Sequence, residues 1–138
     1  MRKSKAMNTH KAMKIITDTN FLVDVVRFRI GLDFLDSLGD LVLGRFELVA
    51  PESVEMELGR MKSSDAKLAL RIARTRVRFM EYAEGRTTDD KIVNLAKKLD
   101  RGGEKTAVAT NDAALRKRLK ALGIKTIYLR ARKHLEMG

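Results

Sequence analysis

The stretch Ile15-Ile16-Thr17-Asp18-Thr19-Asn20-Phe21-Leu22, IITDTNFL, decides the fold. An apolar run stops at a carboxylate, and two small polar residues follow. A second apolar run then begins, with Phe21, Leu22, Val25 and Val26 at helical spacing. A short buried strand handing over to a helix reads this way. The same grammar returns in TAVATNDAAL, residues 106–115, where the apolar run ends at Thr110-Asn111-Asp112.

Outward from these two stretches, FELVA, VRFMEY and KTIYL read as further strands. Helices are expected at 51–61, with Pro51 suited to the first position, and at 65–74, 89–99 and 113–122. Gly123 stops the last of these, and Gly39 is expected to break the short helical piece GLDFLDSLGDLV. RARKHLEMG reads as a basic tail, partly helical. Short strands alternating with helices predict an α/β sandwich on a mostly parallel sheet. The expected organisation is a basic N-terminal arm over 1–12 and one domain over 13–138.

The chain has 138 residues, an apolar fraction of 44% and no Cys. A disulfide scaffold, a zinc ribbon and a thiol nucleophile are excluded together. No apolar stretch is long enough for a membrane span, and the basic start leads into no signal-type apolar core, so a cytoplasmic protein is expected. Basic residues exceed acidic ones by 11. The excess is clustered, most heavily where Arg116, Lys117, Arg118, Arg130, Arg132 and Lys133 fall in a segment without acids. Such a field attracts polyanions, and a nucleic acid is the expected partner. With no Trp and two Tyr, recognition through backbone and shape is favoured over base stacking.

In a parallel α/β sheet, ligand sites lie at the carboxyl edge, where the strand order reverses. Four acids reach that edge. Asp18 ends the first strand; as Asn20 can cap a helix beginning at Phe21, Asp18 is expected to be spare. Asp112 follows the TAVAT strand, where either it or Asn111 can cap the next helix. Asp89 falls at the edge of the Ile92, Leu95, Ala96, Leu99 stripe, whereas Asp90 points away and suits the helix dipole, with Thr88 as the expected cap. Glu57 lies inside the Val54, Leu58, Met61 stripe, so it needs a cation, strong hydrogen bonds or a raised pKa. Four gathered carboxylates repel, and a divalent metal removes that conflict. Oxygen ligands alone point to Mg²⁺ or Mn²⁺.

With these motifs in order, over roughly residues 14–135, the chain resembles the PIN-domain nucleases. The resemblance implies a three-layer α/β/α sandwich with five parallel strands in the order 3-2-1-4-5. It implies Asp18, Glu57, Asp89 and Asp112 as the acidic metal-site quartet, with Thr19, Asn20, Thr110 and Asn111 orienting carboxylates or the attacking water. It also implies an endoribonuclease, of the VapC toxin type or of the ribosomal-RNA-processing type. RNA, an antitoxin protein and a second copy of the chain are the implied partners. The main rival is a noncatalytic RNA-binding or ribosome-associated module of the same fold. A haloacid-dehalogenase-like phosphatase needs an Asp where Asn20 stands. A phospho-receiver needs one that VRFMEYAEG does not supply.

Overall fold

The computed structural model describes residues 12–30, 33–81, 84–131 and 134–138. The basic arm, apart from Ala12, lies outside them, as do Arg132 and Lys133. Along the chain come β1 (Met13–Thr17), α1 (Thr19–Arg27), α2 (Asp33–Val42), β2 (Phe46–Pro51), α3 (Glu52–Arg60) and α4 (Ser64–Arg76). They are followed by β3 (Val77–Met80), α5 (Thr88–Arg101), β4 (Thr106–Ala109), α6 (Ala113–Ala121), β5 (Lys125–Arg130) and β6 (His134–Met137).

The strand order is β3-β2-β1-β4-β5-β6. The first five strands run parallel in the expected order 3-2-1-4-5. β6 is an addition, pairing antiparallel with β5 from Ile127↔Met137 to Arg130↔His134. The tail expected to be partly helical is therefore an edge strand. Leu135, 7% exposed, explains why: its side chain joins the core, while its neighbours His134 and Glu136 lie on the other face of the strand.

β1 and β4 are central and paired, with Ile16 opposite Val108 and Thr17 opposite Ala109. Both faces of these strands are covered, so Ile15, Ile16, Ala107, Val108 and Ala109 are all inaccessible, as a parallel sheet requires. α1, α3 and α4 pack on one another, and α5 packs on β1, β2 and β4 and against α6. Right-handed crossovers place these two groups on opposite faces of the sheet. Full burial of a side chain such as Phe21, Leu58, Ile92 or Leu119 contributes roughly 1.5–3 kcal/mol.

Two local expectations are corrected by packing. α2 runs through Gly39 without a break. A Cβ at that position would meet the ring of Phe46 at 3.7 Å, an ordinary packing distance, so the helix passes the glycine because α2 packs on its neighbours on either side of it. Pro51 ends β2 and caps α3 with extended backbone (ψ 150°), one position ahead of the helical slot expected for it. Among the described residues, no helix is long and apolar enough to cross a membrane.

Candidate active site

The switch point lies between β1 and β4, and both strands end there in a polar turn. Asp18 follows β1 and is only 4% exposed. Its N–H donates to Ala109 O at 3.0 Å, which ties the ends of the two strands. It also caps α1: Oδ1 accepts from Thr19 N at 2.7 Å. The helix thus begins at Thr19, not Phe21, and Asn20 is an exposed residue inside it rather than its cap. Asp18 is not spare; it has a second oxygen for a second task. Oδ2 accepts from the Thr110 hydroxyl at 2.8 Å. Burial pushes the Asp18 carboxyl up to about 6; the Thr110 and Thr19 hydrogen bonds oppose the rise, and the negative charges of Asp89 and Glu57 add to it.

Thr110 serves both motifs. Its Oγ1 donates to Asp18 and accepts from Asp112 N at 3.1 Å. Asp112, rather than Asn111, caps α6, with Oδ1 accepting from Ala114 N at 2.8 Å and Leu115 N at 3.1 Å. Asn111 turns away from the acids. Its Nδ2 donates to Asp24 Oδ2 at 2.9 Å, and its Oδ1 accepts from Leu129 N at 2.9 Å, so it joins α1 to β5. Asn20 makes no side-chain hydrogen bond among the described residues.

α5 brings Asp89. Its cap is Thr87, whose Oγ1 accepts from Asp90 N at 3.1 Å, one residue earlier than expected. Burial raises the Asp89 carboxyl, and the charges of Asp112, Glu57 and Asp90 raise it further against the pull of Arg118. Asp90 points to the α6 side, where a hydrogen bond from Arg118 Nη2 at 3.2 Å holds its carboxyl below the usual range. Glu57 projects from α3, half-buried beside Val54 and Leu58. Its need for strong hydrogen bonds is met by two hydroxyls: Thr19 Oγ1 donates to Oε1 and Thr88 Oγ1 to Oε2, each at 2.6 Å.

The four acids therefore face one another electrically. Asp18 feels Asp89 and Glu57, and Asp89 feels Asp112 and Glu57. Among the described residues, no three His, Cys, Asp or Glu side chains are close enough to enclose an ion. In kind, the groups suit a hard divalent cation: oxygen donors only, one of them desolvated beside like charges. The residues that would supply its oxygens are Asp18, Glu57, Asp89 and Asp112, which would have to draw together around it.

Two participants escaped the sequence reading. Thr88, expected as a cap, instead donates to Glu57, and its place beside Asp89 in TTDD puts it in reach of the same edge. Asp24 carries no comparable signal, since its partner Asn111 lies 87 residues away. The basic cluster is also less open than its composition implies. Arg116 is half-buried, with its guanidinium 4.0 Å from the centre of the Tyr128 ring. Arg118 pairs with Asp90 and Arg130 with Glu136, each at 3.2 Å. Lys117 is exposed and forms no ion pair among the described residues.

Comparison with known proteins agrees with this fold. A curated relative, Ribonuclease VapC4 of Methanocaldococcus jannaschii, is 30% identical over 131 residues, covering 90% of this chain and 95% of its own. The solved structure of the PIN domain endonuclease Utp24 superposes with a TM-score of 0.75 at 24% identity over 90% of each chain, a likeness of fold. The family model described as PIN like domain matches residues 15–132, and the chain belongs to that family.

Proposed function

We propose that the protein is an Mg²⁺- or Mn²⁺-dependent endoribonuclease that hydrolyses RNA phosphodiester bonds. The observation that supports this reading is the mutual charge effect that links Asp18, Glu57, Asp89 and Asp112 at the carboxyl edge, with Asp18 buried. Such an arrangement costs stability unless a cation is shared by its members. When bound, a divalent ion supplies Lewis-acid polarisation of the scissile phosphate and of the attacking water. The chain's own groups do the rest. Thr110 fixes Asp18 Oδ2 and, through the Asp112 amide, the start of α6. Lys117 and its basic neighbours hold backbone phosphates, which positions RNA without reading its sequence.

Family membership and the similarity to Ribonuclease VapC4 support RNA as the substrate and favour the toxin reading over ribosomal RNA processing. On that reading an antitoxin protein and a second copy of the chain are the partners. Light scattering of the chain alone tests the second copy. The deciding experiment is RNA cleavage with Mg²⁺ or Mn²⁺, with and without EDTA, for the wild type and Asp18→Asn. Cleavage lost on chelation, and absent in a folded variant that still binds RNA, is the expected result. A wild type that binds RNA but neither cleaves it nor takes up metal makes the protein a binding module instead.

A further inference from the structure

Glu57 is the one acid of the four with both oxygens engaged by side-chain hydroxyls, and those hydroxyls come from two different helices. Thr19 is the first residue of α1 and Thr88 the first residue of α5. α1 and α5 lie on opposite faces of the sheet and are not joined in sequence. Asp18 precedes Thr19 directly, and Asp89 follows Thr88 directly. The Glu57 carboxylate therefore spans the carboxyl edge and holds the two helix starts that carry these acids. Donors at 2.6 Å on both oxygens are short, charge-assisted bonds.

We infer that Thr88 is a positioning residue of the site, and that Thr88, Glu57 and Thr19 form a clamp that sets the separation of Asp18 and Asp89. This inference rests on the metal-dependent reading given above. Helix starts are open to such control because their first N–H groups lack intrahelical partners, so a first turn shifts more readily than a helix centre. Asp18 and Asp89 repel each other, as the effect of Asp89 on the Asp18 carboxyl records. Without the clamp, that repulsion acts on two helix starts with nothing between them. Each Glu57 oxygen keeps a second lone pair beside its hydroxyl donor, so the clamp positions the neighbouring acids without using up the carboxylate.

Thr88→Val removes the hydroxyl and keeps the shape; Thr88→Ser restores the hydroxyl. Mn²⁺ binding by calorimetry, with the melting temperature recorded alongside, is the first readout. Removing a group that orients a metal ligand typically weakens affinity about 10- to 100-fold. The expected result is a loss of that size in Thr88→Val and recovery to within a few-fold in Thr88→Ser. The metal-free readout is the Thr19 amide resonance, because Thr19 N donates to Asp18 and Thr19 Oγ1 shares Glu57. It shifts in Thr88→Val and stays in Thr88→Ser if the clamp exists. An unmoved Thr19 amide overturns the clamp regardless of metal. A moved amide with wild-type Mn²⁺ affinity in Thr88→Val overturns its role in the site and leaves it as a fold contact. A wild type that shows the amide coupling yet binds no Mn²⁺ overturns the nuclease reading, and with it the metal role of Thr88, while the clamp itself stands.

Discussion

Replacing Asp18 by Asn is expected to stabilise the metal-free protein while abolishing its proposed activity. The carboxyl of Asp18 is raised from the ordinary 3.8 to about 6, chiefly by burial. At about 1.4 kcal/mol per tenfold in proton affinity, keeping it ionised costs the folded state up to about 3 kcal/mol at neutral pH. The sign follows from linkage. Below pH 3.8 the carboxyl is protonated in both folded and unfolded chains, and there is no cost. As pH rises from 3.8 through about 6, the unfolded chain loses its proton first, and stability falls. Above that window the cost is complete. Asn carries no charge and its Oδ1 can still accept from Thr19 N, so the helix cap survives. Its amide faces a Thr110 hydroxyl able to accept as well as donate. In thermal melts with EDTA, the variant should match the wild type near pH 4 and exceed it by several degrees at pH 7.5. Excess Mg²⁺ should raise the wild type and leave the variant unmoved. A variant no more stable than wild type at pH 7.5, or an offset that does not change with pH, would refute the argument that Asp18 is a desolvated charge.

Thr17 Oγ1 is buried with no hydrogen-bond partner among the described residues, so Thr17→Val should be neutral or stabilising by about 1 kcal/mol in urea denaturation. Asn111→Ala strands Leu129 N–H and leaves Asp24 with its Arg27 ion pair alone, and should lower stability by about 1–2 kcal/mol in the same assay. Arg116 and Lys117 should separate cleanly. Arg116→Ala loses the Tyr128 contact and should lower the melting temperature by a few degrees. Lys117→Ala should leave stability alone and reduce the salt dependence of RNA binding by roughly one counterion in a filter-binding titration. Equal effects of the two on the salt slope would refute the distinction drawn between them.

The strand-to-helix grammar around Asp18 and Asp112 was legible because a parallel strand buried on both faces must be continuously apolar. A polar residue can enter only where the strand ends. Helical periodicity likewise separated Asp89 from Asp90 and drew attention to Glu57, since 100° per residue settles which side chains share a face. Gly39 does not break α2, because helix propensity counts one glycine as a loss of only about 1 kcal/mol, which the packing of the rest of the helix offsets. The β6 strand was hidden in a basic tail in which, among the described residues, Leu135 alone is deeply buried.

By itself, then, the sequence determined the layered α/β architecture, the edge at which polar groups gather and the acids that reach it. All of these follow from local pattern and from the rule that buried strands are apolar. Tertiary structure alone decided what each oxygen does. Asp18 divides its two oxygens between a helix cap and Thr110; Glu57 gives both of its own to Thr19 and Thr88; Asn111 serves β5 instead of the acids. Arg116 packs on an aromatic ring, and Arg118 and Arg130 pair with carboxylates while staying exposed. A hydrogen bond needs its partners within about 3 Å. Partners such as Thr110 and Asp18 stand 92 positions apart, so local pattern could not pair them.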